Sequence, residues 1–343
     1  MVPWMVEGGL LILAFAAPFF LLVGLFPSYL RALTRMGHLA EDAHKNPPTK
    51  VPMPAGPLLF AGLVVGEVAV AVGFRTLVPV AVAAGAGVAF AIGLFDDLYV
   101  LGGKTKPLLL FFAGLAFVSL AVLQPTLYRA DIYFPILGDT APHFIIYTIL
   151  AVVAFPVVAN AFNMMDAFNG EISWFALLTS LALLVGVMLR TLFQSGFSVS
   201  RMASVLPLVG VAGAFLFYNR YPSKAFDGDS GSLMFGAAFA GLAVTGGVEI
   251  AAIIAIVPAI LNSFYTLSSV RGFVERRKIA RPTYVGDDGL LHASMEEDAP
   301  NTLVRLVLLT SSMTEVELVT SIVALTAVAC VFSVATSVLT WVF

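Results

Sequence analysis

Charge is scarce in this sequence. Only 11% of its 343 residues are Asp, Glu, Lys or Arg, 59% are hydrophobic, and the mean hydropathy is +0.97, whereas soluble globular chains carry roughly a quarter charged residues. A chain so poor in charge cannot cover a water-facing surface, and its solvent is lipid. Cysteine is scarcer still. The single Cys330 falls inside the last apolar run, which excludes a disulfide framework and a cysteine metal site. There is no basic surplus either: 18 Lys and Arg stand against 21 Asp and Glu, for a net charge of −3. No nucleic-acid partner is expected, since one would demand a basic stripe. Neither Lys nor Arg precedes the first apolar stretch, where Glu7 stands alone. The positive region of a cleavable signal peptide is therefore missing, and the stretch reads as a first membrane helix. No repeat or low-complexity segment stands out.

What is abundant is unbroken apolar sequence. A helix needs about 20 residues to cross the hydrocarbon core, and stretches near that length run over 8–30, 56–74, 76–95, 107–124, 143–165, 172–190, 203–219, 230–246, 248–270 and 318–342. Barrel strands alternate apolar and polar residues, and these stretches do not. The expected fold is all-α, a single polytopic membrane domain over 1–343 with about ten transmembrane helices. Lys and Arg are retained on the cytoplasmic side. With both termini outside, the inner loops (approximately 31–55, 96–106, 166–171, 220–229 and 271–317) hold Arg31, Arg35, Lys45, Lys50, Lys104, Lys106, Arg220, Lys224, Arg271, Arg276, Arg277, Lys278, Arg281 and Arg305. The outer side holds Arg75, Arg129, Arg190 and Arg201. All acidic residues but Glu7, Glu67, Asp131, Asp139 and Glu249 gather on the inner side too. Carboxylates barely influence orientation, so their segregation calls for a cytoplasmic site. The long loop 271–317 opens on a basic run, passes a turn at Gly286-Asp287-Asp288-Gly289, and is expected to hold a hairpin and a short surface helix.

Three places could carry chemistry. Asp96 and Asp97 end an otherwise apolar span. Adjacent helical residues project about 100° apart, so the pair implies two jobs rather than one shared atom. The ordinary reading is a solvated helix end, but paired carboxylates at this depth are costly. Lys104 and Lys106 follow, either as positive-inside anchors or as part of a site. Asn160, Asn163 and Asp166 recur every third residue and share a helical face, offering oxygen ligands of the kind Mg²⁺ prefers; interhelical hydrogen bonding is the plainer use of asparagines, and Asn169-Gly170 could be merely a turn. Asp229, after Gly228, could cap the helix that follows or bind a metal. The run from Arg276 to Arg281 reads as membrane-surface attraction or as a clamp on phosphates.

Taken in order, these elements resemble the polyprenyl-phosphate N-acetylhexosamine-1-phosphate transferase family, of the glycosyltransferase 4 type. The family includes the bacterial translocase that makes lipid I and the eukaryotic enzyme that starts dolichol-linked N-glycan precursors. The likeness is nearer the eukaryotic and archaeal branch, through Asn160-Ala161-Phe162-Asn163, through Tyr218-Asn219-Arg220-Tyr221-Pro222-Ser223 followed by Gly228-Asp229, and through Arg276-Arg277-Lys278-Ile279. Asp42 with Lys45, then Pro52 and Gly56, match a pattern in the first cytoplasmic loop. The resemblance implies transfer of a sugar-1-phosphate from a UDP-sugar, N-acetylglucosamine by default, to a polyprenyl or dolichyl phosphate. It implies Mg²⁺ (Mn²⁺ as a substitute) on Asn163 and Asp229, and Asp96 and Asp97 as the family's catalytic acidic pair, one of them orienting or deprotonating the lipid phosphate. Substrate-binding residues would be Lys45, Lys106, Asn169, Arg276, Lys278 and Arg281, with Lys106 and Arg276 on the donor pyrophosphate, Lys278 at the sugar end and Asn169 at the nucleobase, and a homodimer is expected by analogy.

The match also departs. Met53 stands where eukaryotic relatives have an acid, Gly103 where the eukaryotic enzyme has a large aromatic, and after Asn169-Gly170 the acid comes at Glu171, one place early. The bacterial triple-histidine motif is absent, only His292 occurring in the last loop, which disfavours muramoyl-pentapeptide transfer. The other readings are a related phosphotransferase with another donor or acceptor, and an ion-coupled transporter. A transporter would place its acids near the midplane and often shows two related halves. A CDP-alcohol phosphotransferase would need an Asp-Gly-x-x-Ala-Arg signature that the sequence does not contain.

Overall fold

Proline and polar caps mark where the apolar stretches of this chain begin, and the computed structural model shows each stretch as helix. It describes residues 3–342 except 46, 125, 136, 137, 141, 142, 195–197, 273 and 275–278, with the backbone alone at 3–5, 122 and 139. Helix α1 (Pro3–Met36) leads into an antiparallel hairpin, β1 (Leu39–Asp42) with β2 (Thr49–Pro52), in which Ala40 faces Val51. Helices α2 (Gly56–Phe74) and α3 (Val78–Tyr99) follow, each with a proline in its first turn, where the missing N–H has no helical partner to lose. After the short α4 (Thr105–Leu109) and α5 (Phe111–Ser119) comes a second small hairpin, β3 (Ile132–Phe134) with β4 (Gly138–Thr140). The chain continues through α6 (Phe144–Met164), α7 (Glu171–Phe193), α8 (Val199–Ala203), α9 (Leu206–Asn219) and α10 (Gly228–Gly246). Helices α11 (Glu249–Ala255) and α12 (Val257–Ser269) are bent by 64° at the break between them. The expected hairpin and surface helix of the last loop are present as β5 (Thr283–Val285) with β6 (Leu291–Ala293) and as α13 (Leu303–Leu308). The closing helix α14 (Glu315–Trp341) starts at a Thr314–Glu317 capping box, which satisfies two orphan backbone groups reciprocally.

All ten expected stretches are helical, but the number of spans is smaller than ten. Among the described residues seven helices are long and apolar enough to cross a membrane, or eight if the bent pair α11–α12 is one span. The segment Thr105–Ser119 is short, and α10 begins with a polar turn, Asp229-Ser230-Gly231-Ser232. The protein is an integral membrane protein.

Helix α10 is the axis of the bundle. Every residue from Gly228 to Gly246 is buried except Asp229, and α3, α6, α2 and α7 surround it. Small residues allow this, because without a solvent-driven force between helices in lipid, close van der Waals approach supplies the association. At Gly93 of α3 an added Cβ would lie 2.6 Å from Ser230 Cα and against the Asp229 carbonyl.

The two ends of the bundle are polar. At the end away from Asp229, the C-terminal carbonyls of α10 are taken by two arginines that the charge distribution assigns to the outer side. Arg190, 1% exposed, donates from Nη1 to Gly246 O at 3.3 Å and to Gly247 O. Arg201 donates to Thr245 O and, at 3.2 Å, to Leu127 O. Cations at a helix C-terminus complement its dipole. Asp131 lies 3.6 Å from Arg190 as counter-charge.

Candidate active site

The last turn of α3 places two neighbouring carboxylates in different directions, as adjacent positions on a helix must be. Asp96 turns toward Lys106 at the head of α4, pairs with its Nζ, and accepts from the Leu101 N–H. Asp97 turns toward α10: its Oδ1 accepts from the Asp229 N–H at 2.7 Å and its Oδ2 from the Ser230 N–H at 3.1 Å. The cap on α10 is thus supplied by another helix, while Asp227 at the N-cap position makes no side-chain cap bond. Asp229 is thereby released from the capping duty that its place at a helix start suggests. Its Oδ2 accepts from Lys106 Nζ at 2.7 Å and its Oδ1 from Asn163 Nδ2 at 2.5 Å; Asn163 also donates to Ser232 Oγ at 2.9 Å.

Lys106 therefore bridges two carboxylates. Burial pulls its ammonium pKa down, but the Asp229 and Asp96 carboxylates outweigh that and hold it above its usual value. Fully buried Asp227 is pushed well above the usual carboxylate range, first by burial and then by the nearby Asp166 and Asp97 charges. Of the expected ligand face on α6, Asn163 reaches the site, Asn160 donates to the Pro156 carbonyl at 2.7 Å, and Asp166 lies beyond the helix end in the wall of the cleft.

That cleft has a volume of about 300 Å³. Asp97, Asp166, Gly228 and Asp229 line it together with Asp42, His44, Met53, Phe168, Asn169 and Phe226. His44 and Phe168 are stacked with ring centroids 4.1 Å apart. Met53, one of the departures from relatives, faces the cleft; Glu171, another, is 2% exposed and absent from its lining.

The other expected substrate-binding residues are placed differently. Lys45 is paired with Asp42 at 3.3 Å and with Glu315. Asn169 is 2% exposed, and its amide is bonded to Asp42, Glu315 and the Ser223 N–H. Arg281 is exposed ahead of β5, outside the cleft lining. Arg276 and Lys278 lie outside the described residues. Glu315, Ser223 and Ser232 join the site network although sequence reasoning does not single them out. Ser223 sits inside a motif quoted above, and Glu315 immediately follows the capping threonine of α14, a local signal of a helix start that a hydropathy reading passes over.

Membrane helices carrying carboxylates, a lysine that bridges two of them, and a polar cleft thus come together in this chain. Residues 79–247, from α3 through α10, match the model of glycosyl transferase family 4. Among similar proteins, a putative UDP-N-acetylglucosamine–dolichyl-phosphate N-acetylglucosaminephosphotransferase of Sulfolobus acidocaldarius is 26% identical over 282 residues, covering 80% of each chain. A probable undecaprenyl-phosphate N-acetylglucosaminyl 1-phosphate transferase of Bacillus subtilis is 24% identical, covering 82% of this chain and 76% of its own. The corresponding dolichyl-phosphate enzyme of Dictyostelium discoideum is 26% identical over 59% of this chain and 55% of its own. The matched segment contains Asp96, Asp97, Lys106, Asn163, Asn169 and Asp229, and leaves out the β1–β2 hairpin and α14.

Proposed function

We propose that the protein transfers a sugar-1-phosphate, by default N-acetylglucosamine-1-phosphate, from a UDP-sugar to a polyprenyl or dolichyl phosphate at the cytoplasmic face. An oxygen of the lipid phosphate attacks the sugar-bearing phosphorus of the donor. The bond from that phosphorus to the bridging oxygen breaks, UMP leaves with the electron pair, and a lipid diphosphate sugar remains. The names of the similar proteins support this chemistry, and one observation in the chain itself carries it: Lys106 stands between Asp96 and Asp229, and Asp229 lines an open cleft. Two anions must meet in such a transfer, so fixed positive charge and positioning supply most of the rate. Lys106 is a fixed cation of that kind. Both oxygens of Asp97 are spent on backbone N–H groups and Asp96 is spent on Lys106 and Leu101. This favours holding roles for both over proton abstraction.

The donor set suits a hard cation. The cleft offers carboxylate oxygens from Asp166 and Asp229, and among the described residues no three His, Cys, Asp or Glu side chains form a metal cluster by themselves. Mg²⁺ is commonly held by one or two carboxylates, with water and substrate phosphates completing the shell. Asp229 and Asn163 would hold it, with Mn²⁺ as a substitute, and the bound ion would neutralise charge on the diphosphate. The test is a transfer assay with purified protein, polyprenyl phosphate, radiolabelled UDP-N-acetylglucosamine and Mg²⁺, beside chelator and Asp229→Ala controls. Metal-dependent label in the lipid phase, lost in both controls, is the expected result. No label from folded wild-type protein would sink this donor–acceptor pair and turn attention to Met53.

A further inference from the structure

Helix α14 lies outside the segment that matches the family, yet its first residue reaches the cleft wall. Glu315 is 7% exposed. Its Oε1 accepts from the Asn169 backbone N–H at 2.9 Å and from Asn169 Nδ2, while its Oε2 pairs with Lys45. Asp42 closes the ring: its Oδ2 accepts from Asn169 Nδ2 at 3.0 Å and lies 3.3 Å from Lys45 Nζ. Asn169 Oδ1 accepts from the Ser223 N–H at 2.8 Å, and Lys45 Nζ sits 4.2 Å above the Tyr221 ring. Four stretches far apart in sequence meet here: the β1–β2 hairpin, the α6–α7 turn, the α9–α10 loop and the start of α14.

The chemistry of these groups limits what they can do. A side-chain amide has two donors and one carbonyl acceptor, and in Asn169 both kinds are engaged inside the protein. Lys45 is the cation for two carboxylates at once, so removing it leaves Asp42 and Glu315 facing each other in a site with little water, where an unbalanced charge is expensive. Asp42, Asn169 and the stacked pair of His44 and Phe168 nevertheless line the cleft. A group that fixes Asn169 and Lys45 therefore fixes that part of the lining.

We infer that Glu315 is a positioning residue for this part of the cleft, holding the α6–α7 turn through Asn169 and the β1–β2 hairpin through Lys45, and so tying the C-terminal helix to donor binding. The kinetic side of this inference rests on the transferase reading; the structural side rests on the bonds above.

The experiment uses the full-length protein as Glu315→Ala, Glu315→Gln, Lys45→Met and the Glu315→Ala/Lys45→Met pair. Hydrogen bonds to charged groups are worth about 1.5–3 kcal/mol. Glu315→Ala should therefore raise the donor KM roughly ten- to a hundredfold, with kcat within about threefold of wild type. Glu315→Gln, which keeps an acceptor for Asn169 and loses the ion pair, should fall between. Groups that act as one unit are not additive, so the double variant should be no worse than the poorer single one. Independently of activity, hydrogen exchange at the Asn169 amide should quicken in Glu315→Ala while the amides of α10 stay protected. An unchanged donor KM, additive losses, a fall confined to kcat, or an Asn169 amide that stays protected would each overturn the inference. If α10 loses protection as well, Glu315→Gln is judged on the same readings. If wild type itself transfers nothing, the transferase reading fails, and the exchange result alone then upholds or overturns the positioning role.

Discussion

Asp97 accepts the backbone N–H of Asp229 at 2.7 Å, so the second carboxylate of the acidic pair caps the helix on whose first turn the other site carboxylate stands. A capping side chain usually belongs to the helix it caps; here it comes from α3, and it fixes α3 against α10 at the point where Lys106 joins them.

Losing that cap should be visible in stability and in turnover. Asp97→Ala should lower stability by about 0.5–2 kcal/mol, the usual worth of an N-cap, and shift Asp229 away from Lys106. Asp97→Asn keeps one of the two acceptor oxygens and should retain more stability. Thermal unfolding in detergent, set beside the transfer rate, checks both; an Asp97→Ala protein as stable and as active as wild type would contradict the assignment.

Lys106→Gln leaves Asp96 and Asp229 without their shared cation. The expected fall in kcat is on the order of a hundredfold or more, the scale seen when a fixed charge-stabilising donor is removed. Lys106→Arg should not restore the rate, because a planar guanidinium does not reproduce a compact ammonium point charge. Single-turnover rates at saturating donor would separate this effect from weakened binding.

Two glycines of similar appearance in sequence should behave in opposite ways. A methyl group at Gly93 would meet the backbone of Asp229 and Ser230, whereas one at Gly24 of α1 meets nothing within 4 Å. Gly93→Ala should therefore cost about 1–3 kcal/mol through overpacking and cut transfer, and Gly24→Ala should leave both unchanged. Melting temperatures and rates of the two variants measured side by side decide it.

The last loop should respond to acid. The His292 ring, followed by the Leu290 N–H, holds the exposed Asp288 carboxyl below its ordinary value of 3.8. A depressed carboxyl stabilises fully above its unfolded pKa, and its contribution fades as pH falls through the folded one. Backbone amides of the β5–β6 hairpin should accordingly lose protection below about pH 3.8, and Asp288→Asn should show weaker protection at neutral pH with no further acid step. Hydrogen exchange corrected for intrinsic rates would show either pattern.

Much of the site is legible in the sequence, for reasons that can be named. Adjacent carboxylates on a helix must diverge, so separate duties for Asp96 and Asp97 follow from helix geometry alone. The loops that carry Asp42, Lys106, Asn169 and Asp229, grouped by the distribution of charge along the sequence, supply residues that meet at and beside the cleft. The number of spans is less legible, because hydropathy records what a stretch is made of and not what surrounds it. Helix α10 is the most enclosed helix of the bundle and also begins with a polar turn, while the lipid-facing helices carry the stronger apolar signal. The Glu315 network cannot be read from the sequence at all. Its members are separated by up to 270 residues along the chain, as Lys45 and Glu315 are, and only packing brings them together. Arg190 and Arg201 look like ordinary loop anchors until the carbonyls they satisfy are known.

Because α10 meets protein on every side, lipid exerts no direct selection on its side chains. What can stand at its positions is decided by volume, as in the interior of a water-soluble protein, although the helix runs through the middle of a membrane protein. A polar but small residue such as Ser232 fits there with its hydroxyl bonded to Gly228 O, while a larger apolar one that any lipid-facing helix would accept has nowhere to go. The helix bearing Asp229 is in this sense the least membrane-like part of the molecule, and its sequence should drift under different rules from those of its neighbours.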